Sequence, residues 1–127
     1  MADVNPDAAS GAFGMLKQVL AHPLARNLDL DDPRATVVRR QILREKAFLR
    51  KLYQDWYRWI VEALPQQPGP VLELGAGAGF LQDHVPDLIT SDLLHLPDIS
   101  LVLDAHGIPF RDRTLRAVVM IDVLHHL

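Results

Sequence analysis

A chain of 127 residues, 49% hydrophobic and 23% charged, is long enough for one domain and too apolar for a disordered segment. It contains no cysteine, which excludes a disulfide framework, a Cys-ligated metal and a thiol nucleophile within this sequence. Its formal net charge of −3 is unlike that of a nucleic-acid coat protein.

No apolar run approaches the roughly 20 residues that span a bilayer, and residues 1–10 lack the basic start of a secretory signal. A cytoplasmic protein with no membrane partner is the expectation. Charge is unevenly placed: positions 34–58 hold eight Lys/Arg and two Asp/Glu, the remainder five and fourteen. A basic segment is joined to an acidic one.

Residues 1–10 read as a frayed terminus and 12–20 as a short helix stopped before Pro23. Asp32-Pro33 is a helix start, because aspartate caps free amides and proline suits the first helical position. From 33 to 64, Val38, Ile42, Leu49, Leu52, Trp56, Ile60 and Leu64 fall at spacings of three, four or seven, one apolar stripe flanked by Arg and Lys. Unbroken, such a helix would run roughly 45 Å, so a break is expected around 44–46. The stripe is expected to pack over the sheet or its crevice, with Trp56 buried. Prolines 65, 68 and 70 then end the helix.

Beyond Pro70 the texture changes. Four short aliphatic runs, 71–74, 88–91, 99–103 and 117–121, read as parallel strands covered on both faces, with a short helix over 80–84 after the first. Glycines follow the first run, and Asp92, Asp104 and Asp122 follow the others. Ligand crevices in open parallel sheets lie at the carboxyl ends of the strands, so these four ends are expected on one edge.

Gly75, Gly77 and Gly79 directly follow the first strand, where glycine allows a sharp turn and close approach of a ligand to the backbone. That approach is expected at Gly77 more than at Gly79. A dinucleotide fingerprint would need glycine at position 80, which is Phe80. No Lys-Ser or Lys-Thr follows, so a nucleoside-triphosphate loop is excluded.

The run Val71-Leu72-Glu73-Leu74-Gly75-Ala76-Gly77-Ala78-Gly79-Phe80 opens a series of four ordered motifs. Ser91-Asp92 comes next, then Leu103-Asp104-Ala105 with Ile108-Pro109-Phe110, and last 118–127 with Asp122, His125 and His126. Together they resemble the class I S-adenosylmethionine-dependent methyltransferases, especially the small-molecule kind called type 11. The resemblance implies an α/β fold with a Rossmann-like parallel sheet, here truncated after the fourth strand, and an N-terminal helical extension. It divides the chain into 1–66 and a partial S-adenosylmethionine-binding domain over 67–127.

It also implies roles, position by position. Glu73 would contact the methionine amino group, with Gly75, Ala76, Gly77 and Gly79 around it. Asp92 would accept from both ribose hydroxyls, with Leu93 beside it. Asp104 and the Ala105 amide would meet the adenine, and Asp122 would underlie the methionine and substrate end. His125 is the candidate general base. The partner implied is a small-molecule methyl acceptor; nucleic acid and metal are not expected.

Three departures from the family stand out. The six residues between Asp92 and Ile99 are too few for the usual helical crossover. Arg116 stands where the family has an acidic residue. The family's sheet has strand order 3-2-1-4-5-7-6, and the last three strands have no counterpart here. Two other functions therefore stay open: a non-catalytic fragment acting as an interaction module through its basic helix, and an NAD(P)-binding oxidoreductase domain.

Overall fold

A computed structural model describes residues 32–121 and Val123; the expected helix over 12–20, Asp122, His125 and His126 lie outside the described residues. The first helix, α1, runs Pro33–Glu45 and the second, α2, Ala47–Ala63. Asp32 caps α1 as the sequence predicts, its carboxylate accepting the Arg34 N–H at 2.9 Å. The expected break falls at Lys46, whose extended backbone closes one helix by donating to the Ile42 carbonyl and opens the next by accepting from Arg50 N–H. The Arg50 guanidinium donates to the Arg44 carbonyl at 3.1 Å, satisfying one end group of α1.

The break lets two helix faces converge. Ile42 and Leu43 of α1 and Leu49 of α2 form one buried cluster, with Val38, Tyr53 and Ala78 of the glycine loop packed against it. In α2 the buried residues are Leu49 and Tyr57, and Trp56 is only half-buried, which corrects the expectation for Trp56. Positions 49, 53, 57, 60 and 64 follow a helical period as well as 49, 52, 56, 60 and 64 do. Packing against the sheet selects the first set.

The sheet has four parallel strands in the order β3-β2-β1-β4. They are β1 Val71–Leu74, β2 Leu88–Asp92, β3 Leu101–Val102 and β4 Ala117–Met120. All of β1 is buried, and it pairs Val71 with Leu88 and Ala117, and Glu73 with Thr90 and Val119. The α/β architecture is the one expected, a Rossmann-like sheet with helices before it. The third strand is shorter than its aliphatic run, two residues in place of five.

No α-helix lies in any of the three crossovers. The segment after β1 holds only a single 3-10 turn, Leu81–Asp83, where a helix over 80–84 was expected. The β2–β3 connection is a turn anchored by buried Leu96. One sheet face is covered by Tyr57 and Ile60 of α2 and by Leu64 just past its end, together with Leu81 and Val85. The other is covered by the non-helical segment between β3 and β4, whose Ala105, Phe110 and Leu115 pack against Leu72, Leu74 and Leu103.

Arg116, the departure noted before β4, lies at the amino ends of the strands. Its guanidinium donates to Gly69 O at 2.8 Å, Pro65 O at 2.9 Å and the Asp87 carboxylate at 2.8 Å. It ties the proline-rich turn to the starts of β2 and β4. No helix among the described residues is long and apolar enough to cross a membrane.

Candidate functional site

The glycine loop leaves β1 through two left-handed residues, Gly75 at φ 64° and Gly77 at φ 48°, which glycine adopts without Cβ strain. Three hydrogen bonds shape it: Ala76 N–H to Ser91 O at 2.8 Å, Gly79 N–H to Ala76 O at 2.9 Å, and Gly77 N–H to the Asp92 carboxylate at 3.0 Å. The other Asp92 oxygen accepts from Leu94 N–H at 3.0 Å. Asp92 thus binds both the loop after β1 and the loop after β2. Each of its oxygens keeps one acceptor position for a ligand.

The three glycines are not equivalent. A Cβ at Gly75 would collide with Val123. At Gly79 it would stand 2.7 Å from the Tyr57 hydroxyl, so the protein itself closes that position. At Gly77 it would meet only ordinary contacts, 3.7 Å to Gly75 O and 3.8 Å to Asp92. Gly77 is where the loop is open.

Under this loop lies Glu73, 3% exposed on a central strand. Its Oε2 is buried and has no hydrogen-bond partner. Burial pushes its carboxyl up to about 7, and the neighbouring Asp92 charge adds to the shift. A buried acceptor without a donor is costly, and such a group is explained when a ligand supplies the donor.

Two residues of the helical extension reach the same loop. The Tyr57 hydroxyl accepts from Phe80 N–H at 3.0 Å, and the Phe80 ring stands edge-on to Tyr57 at 4.8 Å. Burial raises the Tyr57 phenol far above its ordinary range, so it remains protonated. Arg40 of α1 donates to Gly77 O at 3.1 Å and Pro97 O at 3.5 Å, and pairs with Asp98 at 3.3 Å. Neither contact is legible in the sequence pattern. Helical periodicity reports the face that a residue shares, not the loop it meets 23 or 37 positions away.

Of the expected site residues, Glu73, Gly75, Ala76, Gly77, Gly79 and Asp92 come together at the carboxyl ends of β1 and β2. Leu93 follows Asp92 and is 67% exposed. Asp104 lies just beyond β3, but its carboxylate is engaged within its own turn by His106 N–H at 2.9 Å and the His106 ring at 2.8 Å. Those bonds hold Asp104 below the usual carboxylate range. Ala105 is half-buried against the Leu72 cluster. Asp122 and His125 are outside the described residues. Among those residues no group of three or more His, Asp or Glu is placed to hold a metal ion.

No protein-family model, curated protein or solved structure matches this chain.

Proposed function

We propose that this chain carries the cofactor-binding part of an S-adenosylmethionine-dependent methyltransferase acting on a small-molecule acceptor. The observation that carries the reading is Glu73, a buried carboxylate with an unpaired oxygen beneath a glycine loop that bears no basic side chain of its own. Such a site suits a ligand that brings an ammonium group and needs no phosphate cradle. The residues present therefore fit S-adenosylmethionine, whose sulfonium supplies an electrophilic methyl group when bound.

Glu73 would accept from the amino group, and the free acceptor positions of Asp92 would take the two ribose hydroxyls. The open backbone at Gly77 would let the ligand approach without a Cβ in its way. Tyr57 holds the far end of the loop through Phe80 N–H. The protein's contribution to the reaction would be proximity and alignment. A cytoplasmic setting is part of this proposal, supported by a cysteine-free composition that fits a reducing compartment.

A nicotinamide dinucleotide is disfavoured because the third glycine of its fingerprint is replaced by Phe80, whose ring is packed against Tyr57. Calorimetric titration of the full chain with S-adenosylhomocysteine and with NAD separates the readings. The expected result is binding of the first without comparable affinity for the second. Asp92→Ala should weaken it by about 1.5–3 kcal/mol per hydroxyl contact as an upper range, with circular dichroism checking that the loop anchor is not lost. Binding of NAD alone would favour the oxidoreductase, and binding of neither would favour the interaction module.

A further inference from the structure

The elbow between α1 and α2, and the outer flank of α2, carry charge and apolar surface that the cofactor site does not use. Residues 44–48 are exposed without a break, and positions 44–51 hold four basic residues against one acidic. That one carboxylate, Glu45, accepts from the Gln41 side-chain amide at 2.8 Å. Beside these cations stands Phe48, 64% exposed, and Trp59 further along the helix is 60% exposed. At about 100° per residue, Phe48, Leu52 and Trp59 lie within about 40° of one another around α2, a stripe roughly 16 Å long. Tyr57 lies about 180° from Phe48 on the same helix. Since Tyr57 packs on Val71 and reaches the glycine loop, the stripe faces away from the sheet.

A surface of this kind calls for an apolar medium at its rings and anions at its basic end. We propose that it docks on an anionic lipid bilayer. The helix lies in the interface, with Phe48 and Trp59 at the acyl boundary and Arg44, Lys46 and Lys51 toward the headgroup phosphates. Charge distribution favours a bilayer over a nucleic acid. A strand stacked along the stripe needs cations beside it, whereas positions 52–63 hold one basic and two acidic residues. The expectation of no membrane partner rests on the lack of a spanning run, and a helix that lies on the surface is a different case. This inference goes beyond the cofactor reading and stands without it.

Co-sedimentation of the full chain with vesicles of phosphatidylcholine, with and without phosphatidylglycerol, tests the docking. Wild-type protein should bind the anionic vesicles roughly tenfold or more tightly than the neutral ones, and molar salt should remove the preference. Arg44→Gln combined with Lys51→Gln should lose most of that preference. Phe48→Ser combined with Trp59→Ser should weaken binding to anionic vesicles by about tenfold, with circular dichroism checking that the helices persist.

Insertion is read separately in Trp56→Phe, which leaves Trp59 as the only tryptophan of the two. Its emission should shift to the blue on anionic vesicles and be quenched by lipids brominated on the acyl chain. Vesicle binding without that quenching, or equal affinity for neutral and anionic vesicles, would overturn the inference. So would tighter binding to a nucleic-acid oligonucleotide than to vesicles. Self-association abolished by Phe48→Ser with Trp59→Ser, in a protein that binds no vesicle, would assign the stripe to a second copy of the chain and overturn it as well.

Discussion

Glu73 occupies the one position of β1 where a polar side chain interrupts the aliphatic run, and burial there disfavours its charged form. Its protonated state is favoured in the fold, so the sign of its contribution follows. Stability from this group is fully present below about pH 4.5, its unfolded value, and is lost as pH rises through about 7. The shift corresponds to roughly 3 kcal/mol. Glu73→Gln keeps the shape and removes the titration. Its stability relative to wild type should therefore rise between about pH 5 and about pH 8, as measured by denaturant melts across that range. A flat difference would mean that Glu73 and the nearby Asp92 carboxylate do not share a desolvated site. An ammonium bound at Glu73 would favour the ionised form and release a proton near neutral pH.

At the scale of elements, α2 is held by Tyr57 rather than Trp56. The Tyr57 ring fills the cluster over Val71, and its hydroxyl satisfies the Phe80 amide, which joins helix to glycine loop. Tyr57→Ala should cost about 3–5 kcal/mol, the range for deleting a buried aromatic ring. Tyr57→Phe should cost about 1–3 kcal/mol, because the Phe80 N–H loses its acceptor. Trp56→Ala should cost only about 1–2 kcal/mol from a half-exposed ring. Urea denaturation of the three variants checks the order, and a Trp56→Ala loss equal to that of Tyr57→Ala would contradict this packing. Two stripes one residue apart are both helical in period, so the sequence alone could not choose between Leu52–Trp56 and Tyr53–Tyr57. The choice was made by a sheet face that needed an aromatic ring and a loop that needed an acceptor.

For the molecule as a whole, the two ends of the sheet have different duties. Arg116 fastens the amino ends through two carbonyls and Asp87, far along the strands from Asp92 and the glycine loop. Arg116→Met should destabilise by about 2–3 kcal/mol, a loss that persists in high salt because backbone carbonyls are its main partners. Asp87→Asn should cost less and largely vanish in salt, since that pair is exposed on the Asp87 side. Melts at low and at molar salt distinguish them. Several features were determined by the sequence alone: the capped start at Asp32, the break near Lys46, the four strands, and the gathering of Glu73, Gly75–Gly79 and Asp92 at one edge. Each depends on local punctuation by proline, glycine and aspartate, or on aliphatic runs that have no stable alternative to burial. Only the tertiary structure decided that Tyr57 seals Gly79, that Arg40 crosses to Gly77, and that the crossover after β1 forms without an α-helix. Those outcomes depend on which groups meet across the fold: the Phe80 amide and the Gly77 carbonyl find their partners through packing rather than through spacing.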